Sequence, residues 1–102
     1  MTEVLNKNDK GRYDIFFKSN QGKTEIYFKK FRDSFYEPVI KSSKNTTRIP
    51  LLLEVPDIIM TLKKLYDVKV KNGNLIYNYD LLTNIVTGAC LISIKTSGYR
   101  FK

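Results

Sequence analysis

Histidine and tryptophan are missing from this chain, cysteine occurs once, and there are only five glycines and three prolines. The missing histidine removes the commonest general base and metal ligand at neutral pH. A single thiol, Cys90, builds neither a disulfide framework nor a thiolate zinc site, and it has no histidine to form a nucleophile pair. Its setting in "ACLISI" reads as that of a small buried hydrophobe. The glycines include neither a Walker-type phosphate loop nor a G-x-G-x-x-G run. The ten carboxylates are scattered, whereas metal-ion catalysis on phosphates needs several converging on one cation; a nuclease built from Asp14, Glu25, Glu37 and Glu54 is therefore disfavoured. The expectation is a non-enzymatic protein with no metal and no cofactor. No apolar run approaches the roughly 18 residues of a membrane span, and the opening "MTEVLNKNDK" is polar rather than signal-like. That reads as a soluble, intracellular protein with no membrane partner, in cytoplasm or nucleus alike.

What is present is positive charge and aromatic rings. Lys and Arg number 18 against 10 acids, a formal net charge of +8. The stretch "KGRYDIFFKSNQGKTEIYFKKFR", residues 10–32, holds seven of those bases, two acids and six Phe or Tyr, and so supplies +5 of the +8. A clustered positive field raises affinity and on-rate for polyanions, chiefly nucleic acid or anionic membrane, and the basic residues lie on predicted strands and not on the amphipathic helix that membrane binding calls for. At 102 residues, with 42% hydrophobic and 27% charged composition, the chain has the size and make-up of one folded domain. Residues 1–9 show no periodicity and are expected to form a flexible lead-in to a single nucleic-acid-binding α+β domain over 10–102.

Periodicity predicts the elements. Arg12–Lys18 and Thr24–Arg32 read as two strands of a hairpin, with a turn at "SNQG" where Gly22 is free to take positive φ. Phe35–Lys41 and Thr47–Leu53 read as two more strands around the polar "SSKN", and Pro38 and Pro50 demote them to edges or irregular strands. Pro56 and Asp57 suit a first helical turn, followed by Ile58, Ile59, Leu62, Leu65 and Tyr66 at helical spacing. Asn72-Gly73 between alternating residues predicts a second hairpin. Asp80 to Gly88 predicts a short helix, and "ACLISIKTSGYRFK" a last strand with a turn at Ser97-Gly98. The expected fold is a curved antiparallel sheet of about four strands with a packing helix, extended by a hairpin, a short helix and a strand.

Parity divides the rings of the opening hairpin. Tyr13, Ile15, Phe17, Ile26 and Phe28 share one face as candidate core, leaving Phe16, Tyr27 and Phe31 outward with Arg12, Lys18 and Lys29. Single-stranded nucleic acid exposes phosphates and base faces together, and stacking on an aromatic ring is worth about 1–3 kcal/mol per base. Duplex recognition instead calls for a helix or ribbon entering a groove. The competing account is a second core layer, in which the C-terminal segment covers the outward rings.

The run "KGRYDIFF…QGKTEIYFKKF", then "EPVIKSSKNTTRIPL", then a helix ending "TLKKL", resembles the core of the positive cofactor four family of transcriptional coactivators. The resemblance rests on Lys10, Arg12, Tyr13, Gly22, Lys23, Ile26-x-Phe28-Lys29, Phe31, Lys41, Lys44 and Arg48-Ile49-Pro50-Leu51, and covers residues 10–66. It implies a curved four-stranded sheet that binds single-stranded DNA, and a homodimer formed through the following helix. The chain departs from the pattern in lacking tryptophan, in carrying Ser19-Asn20-Gln21 where an aromatic precedes Gly-Lys, and in having Lys30 at a position usually acidic. Taken together, these features predict a single-stranded nucleic-acid-binding protein of transcription or replication. Phe16, Tyr27 and Phe31 would stack on bases, and Arg12, Lys18, Lys23, Lys29, Lys41 and Lys44 would meet phosphates. Two other readings stand beside it. One is a protein-interaction module of viral or phage type, since Tyr, Phe and Arg also make interface hot spots. The other is a duplex-DNA regulator, since "SGYRFK" resembles the wing of winged-helix response regulators and a helix precedes the "VKVKNGNLIYNY" hairpin.

Overall fold

The computed structural model describes residues 11–97, so the flexible lead-in expected for residues 1–9 and the "GYRFK" end of the chain lie outside the described residues. Four strands follow one another, β1 (Asp14–Ser19), β2 (Gly22–Arg32), β3 (Phe35–Lys41) and β4 (Thr46–Arg48), and two helices follow them, α1 (Val55–Asn72) and α2 (Tyr79–Ser97). The sheet is antiparallel in the order β1-β2-β3-β4, so each strand pairs with its neighbour in sequence. This is the expected α+β class, with a helical rather than a mixed C-terminal extension.

Alternation decides which face of the sheet is covered. Ile15, Phe17, Ile26, Phe28 and Ile40 point inward and are buried with Ile58, Leu62 and Leu65 of α1 and Leu82, Val86 and Cys90 of α2. Tyr13 packs against this core without being fully buried. Gly22 takes φ +88° at the first turn, as its place after "SNQ" predicts, and Asp33 (φ 47°) makes the tight turn between β2 and β3. Pro38 sits in an inner strand of the sheet, not on its edge. Its carbonyl accepts the Ile49 N–H at 2.9 Å, so the donor it lacks faces the β4 side, where β4 has already ended at Arg48. The proline is tolerated because its neighbour is only three residues long. Pairing resumes once beyond it, where Tyr36 and Leu53 exchange two backbone hydrogen bonds of 2.8 Å.

α1 begins where Pro56 and Asp57 predict, and the buried Asp57 carboxylate accepts the Glu54 N–H at 2.9 Å. It then runs on to Asn72. The predicted Asn72-Gly73 hairpin is a helix end: Gly73 adopts φ 60° as a C-cap, and "VKVKN" is the last turn of α1. The same backbone freedom serves either role. Here Val68 and Tyr66 gain packing against the core by staying helical, which two-residue alternation could not reveal.

The other correction concerns the C-terminal third. The short helix and last strand are one helix of 19 residues, capped by Asn78 and not by Asp80; the Asn78 side chain accepts the Asp80 N–H at 2.9 Å. Gly88 does not stop it. Ala89, Cys90, Ser93 and Ile94 are buried at helical spacing, and Thr83, Thr87 and Ser93 hydroxyls donate to carbonyls one turn back. The apolar run "ACLISI" is compatible with either period, and burial against α1 selects the helix. A Thr61 Oγ1 to Ser93 Oγ hydrogen bond of 2.9 Å ties the two helices, and burial pushes the Cys90 thiol up to about 12.

Candidate nucleic-acid interface

The residues of the outer face, of which Val39 is itself buried, fall by register into four rows across the sheet. Lys18 lies opposite Lys23; Phe16, Glu25, Lys41 and Thr46 form the next row; Asp14, Tyr27, Val39 and Arg48 the third; Lys29 and Glu37 the fourth. Among the described residues, the helices pack on the inner face, so the expected alternative in which the C-terminal segment covers the outward rings is not the arrangement adopted. Of the predicted site residues, Phe16, Lys18, Lys23, Tyr27, Lys29 and Lys41 share this outer face. Arg12, just before β1, folds back over it.

The rings carry cations of their own. The Arg12 guanidinium carbon sits 3.8 Å from the Tyr27 ring centroid, and the Lys23 ammonium 4.2 Å from that of Phe16. Arg12 also reaches Glu25 at 3.3 Å. Arg12 therefore covers the Tyr27 ring with a side chain that is itself only part-exposed, and a guanidinium is a group on which bases can stack. Phe31 is placed differently. A bulge between Lys30 and Arg32 leaves it without a directly opposed residue on β3, and the ring is 52% exposed. At about 3.4 Å per residue it lies some 27 Å from Lys23 along β2, so one ligand touching both must run along that strand.

Charge is concentrated at one end. Lys18 and Lys23 face each other as like charges, an arrangement that destabilises a bare sheet. Lys41 ends β3, and Lys44 lies in the turn that follows it. That turn is held against the first one. The Gln21 side-chain oxygen accepts from Ser42 Oγ at 2.8 Å and Asn45 Nδ2 at 3.0 Å, while Ser43 Oγ donates to the Gln21 carbonyl. The polar "SNQG" tip is thus the clamp that gathers Lys18, Lys23, Lys41 and Lys44 at one end of the sheet. Among the described residues, none of Lys18, Lys29, Lys41 or Lys44 is ion-paired.

Sequence reasoning missed the acids on this face and one base. Asp14 and Glu25 sit beside the rings, and Glu37 pairs with Arg48 at 3.6 Å. Burial, together with a hydrogen bond to Asp14, raises the Glu25 carboxyl above its ordinary value, against the lowering influence of Arg12. The signal for Arg48 was its register: it lies across β3 in the same row as Tyr27, which strand alternation could have shown once β4 was aligned. No group of three or more Cys, Asp or Glu that could hold a metal ion occurs among the described residues, and no helix there is long and apolar enough to cross a membrane. No family model, curated protein or solved structure matches the chain.

Proposed function

We propose that this protein binds single-stranded nucleic acid, without catalysing a reaction, on the outer face of its sheet. The observation that carries the reading is the coincidence, on the outer face, of lysines at the clamped turns that form no ion pair among the described residues with Arg12 over Tyr27 and Lys23 over Phe16. Lysines facing each other lose their repulsion when a phosphate enters between them. Bases then stack on the Arg12 plane and, further along β2, on Phe31. Binding to Phe16 proceeds by transfer of the Lys23 ammonium from ring to phosphate. The resemblance to the positive cofactor four family agrees with this use of the sheet and points to a role in transcription or replication. A reducing, intracellular compartment suits the single buried thiol.

The duplex reading has lost a support, because in place of the hairpin expected after its helix the chain continues α1 to Asn72 and caps it at Gly73. Its other support, "SGYRFK", lies almost wholly outside the described residues. The deciding experiment is a titration with a single-stranded oligonucleotide and its duplex at two salt concentrations. Five phosphates neutralised by Lys18, Lys23, Lys29, Lys41 and Lys44 give a slope of about −3.5, hence about a 100-fold loss between 50 and 200 mM salt. Equal affinity at both concentrations refutes the proposal. A clear duplex preference transfers the face to duplex recognition, and absence of binding at low salt leaves the protein-interaction module in the lead.

A further inference from the structure

Positive charge is densest at the clamped end of the sheet. The Lys18 carbonyl accepts the Tyr77 N–H at 2.9 Å on the outer edge of β1, so Lys18 and Lys23 form a non-hydrogen-bonded pair, the kind whose Cα atoms stand only about 4.5 Å apart. Lys41 comes from the next row, and Lys44 from the turn that Ser42, Ser43 and Asn45 hold against Gln21. Glu25 lies across from Lys41 but is drawn to Arg12, at 3.3 Å. Asp80, next to the Tyr79 whose N–H donates to Asn20, pairs with none of the four lysines among the described residues. Gln21 adds neutral donors. Its side-chain oxygen is taken up by Ser42 and Asn45, and its amide N–H groups have no partner among the described residues.

Elsewhere on the face each base has an acid for company: Arg12 has Glu25, Arg48 has Glu37, and Lys29 lies across from Glu37. Phe16, Tyr27 and Phe31 all lie on one side of the lysine cluster, and beyond it the sheet stops at the turns 20–21 and 42–45. A strand whose last base stacks at Phe16 therefore brings its terminus to the lysines. An internal phosphodiester carries one negative charge, whereas a phosphate monoester carries about 1.5 to 2 near neutral pH and three strong acceptor oxygens. Several ammonium groups and an amide converging on one place match the monoester better. We infer that the clamped end of the sheet is a site for the terminal phosphate monoester of a single strand, held by Lys18, Lys23, Lys41, Lys44 and Gln21. The inference rests on the proposed binding of single strands to this face, and adds to it a preference for a phosphorylated end and one polarity of the strand along β2. Phosphates at the 5′ and 3′ ends share this chemistry, and the arms of the test separate them.

The test is fluorescence anisotropy of the full chain at low salt with three internally labelled single-stranded oligonucleotides of one sequence, about eight nucleotides long. One bears a 5′ phosphate, one a 3′ phosphate, and one hydroxyls at both ends. One of the two phosphorylated strands is expected to bind at least about tenfold more tightly than the hydroxyl-ended strand, the worth of one added charge-assisted hydrogen bond. Lys18→Gln combined with Lys44→Gln is expected to bring that ratio below about twofold, with a circular dichroism melt showing the variant folded. Lys29→Gln, in the row farthest from the clamp, is expected to weaken all three strands alike and leave the ratio standing. Equal affinity for the three strands, a gain shared equally by both phosphorylated strands as added charge alone would give, or a ratio that survives the paired lysine substitutions overturns the site while leaving single-strand binding in place. If none of the three binds, the single-strand reading fails and the terminal site fails with it.

Discussion

The outer face of the sheet and the outer face of α2 are two surfaces that the core leaves uncovered, and their chemistries differ. The first carries four lysines, two arginines and three acids in alternation with rings. The second has two charges in five turns, both at its ends. Their physical demands differ accordingly. A charged face is stable in water alone and needs a partner only to relieve local repulsion, as between Lys18 and Lys23. An apolar face is uncomfortable until something covers it. The same chain thus has one surface whose interactions should weaken steeply with salt and another with few charges for salt to screen.

The largest effect expected from breaking this division is on the charged side. Lys18→Glu, Lys23→Glu and Lys41→Glu together should abolish oligonucleotide binding, at least about a 1,000-fold loss by fluorescence anisotropy at low salt. Ile92→Glu, on the exposed side of α2, should leave that affinity unchanged. If the two sets of variants exchange phenotypes, the assignment of the faces is wrong.

Parity supplies the next comparison. Phe28 is buried inward and Phe31 exposed at the bulge. Phe28→Ala should destabilise the fold by about 3–5 kcal/mol in denaturant unfolding. Phe31→Ala should stay within about 0.5 kcal/mol of wild type in stability and weaken oligonucleotide binding by about 1–3 kcal/mol. A Phe31→Ala protein with wild-type binding would remove that ring from the interface.

Gly88 probes the apolar side more gently. Because the space around a new Cβ is open, Gly88→Ala should raise protomer stability by about 1 kcal/mol, read as a shift in the unfolding midpoint at low protein concentration. A loss of stability would show that the position is crowded in the protomer.

Glu25 gives the smallest effect and the one most sensitive to pH. Its folded carboxyl titrates above its ordinary value, chiefly because it is partly buried, so the folded state binds a proton more tightly than the unfolded chain. The difference in stability between wild type and Glu25→Gln should therefore change as pH falls from the raised folded value to the ordinary one, with wild type gaining, and level off below it. Protonation also removes a negative charge from the face, and Glu25→Gln should tighten oligonucleotide binding by a few-fold near neutral pH, about 0.4–1 kcal/mol. An unchanged stability difference across that window would mean that Asp14 and Arg12 offset each other at this site.

Sequence was most legible where alternation was strict and the turn chemistry had one meaning. Ile15, Phe17, Ile26 and Phe28 are inward as their parity requires, and β3 has the bounds Phe35–Lys41 that its composition predicts. It was ambiguous wherever one residue served two structures. Asn72-Gly73 suits a hairpin or a helix C-cap, Gly88 suits a stop or an open helical surface, and "ACLISI" fits either period. Local chemistry could not choose between these, because the deciding quantity was burial against elements distant in sequence.

The candidate site divides along the same line. The residues by themselves determined that this is a basic, ring-bearing chain lacking histidine and that its hairpin separates a core face from a charged one, because side-chain direction in a strand is set by the backbone. Tertiary structure alone decided that Arg12 covers Tyr27, that Gln21 draws two lysine-bearing turns together, and that α2 closes over α1 with an apolar face left outward. Those outcomes depend on which elements meet in space and how much surface each meeting buries, and no local pattern encodes that.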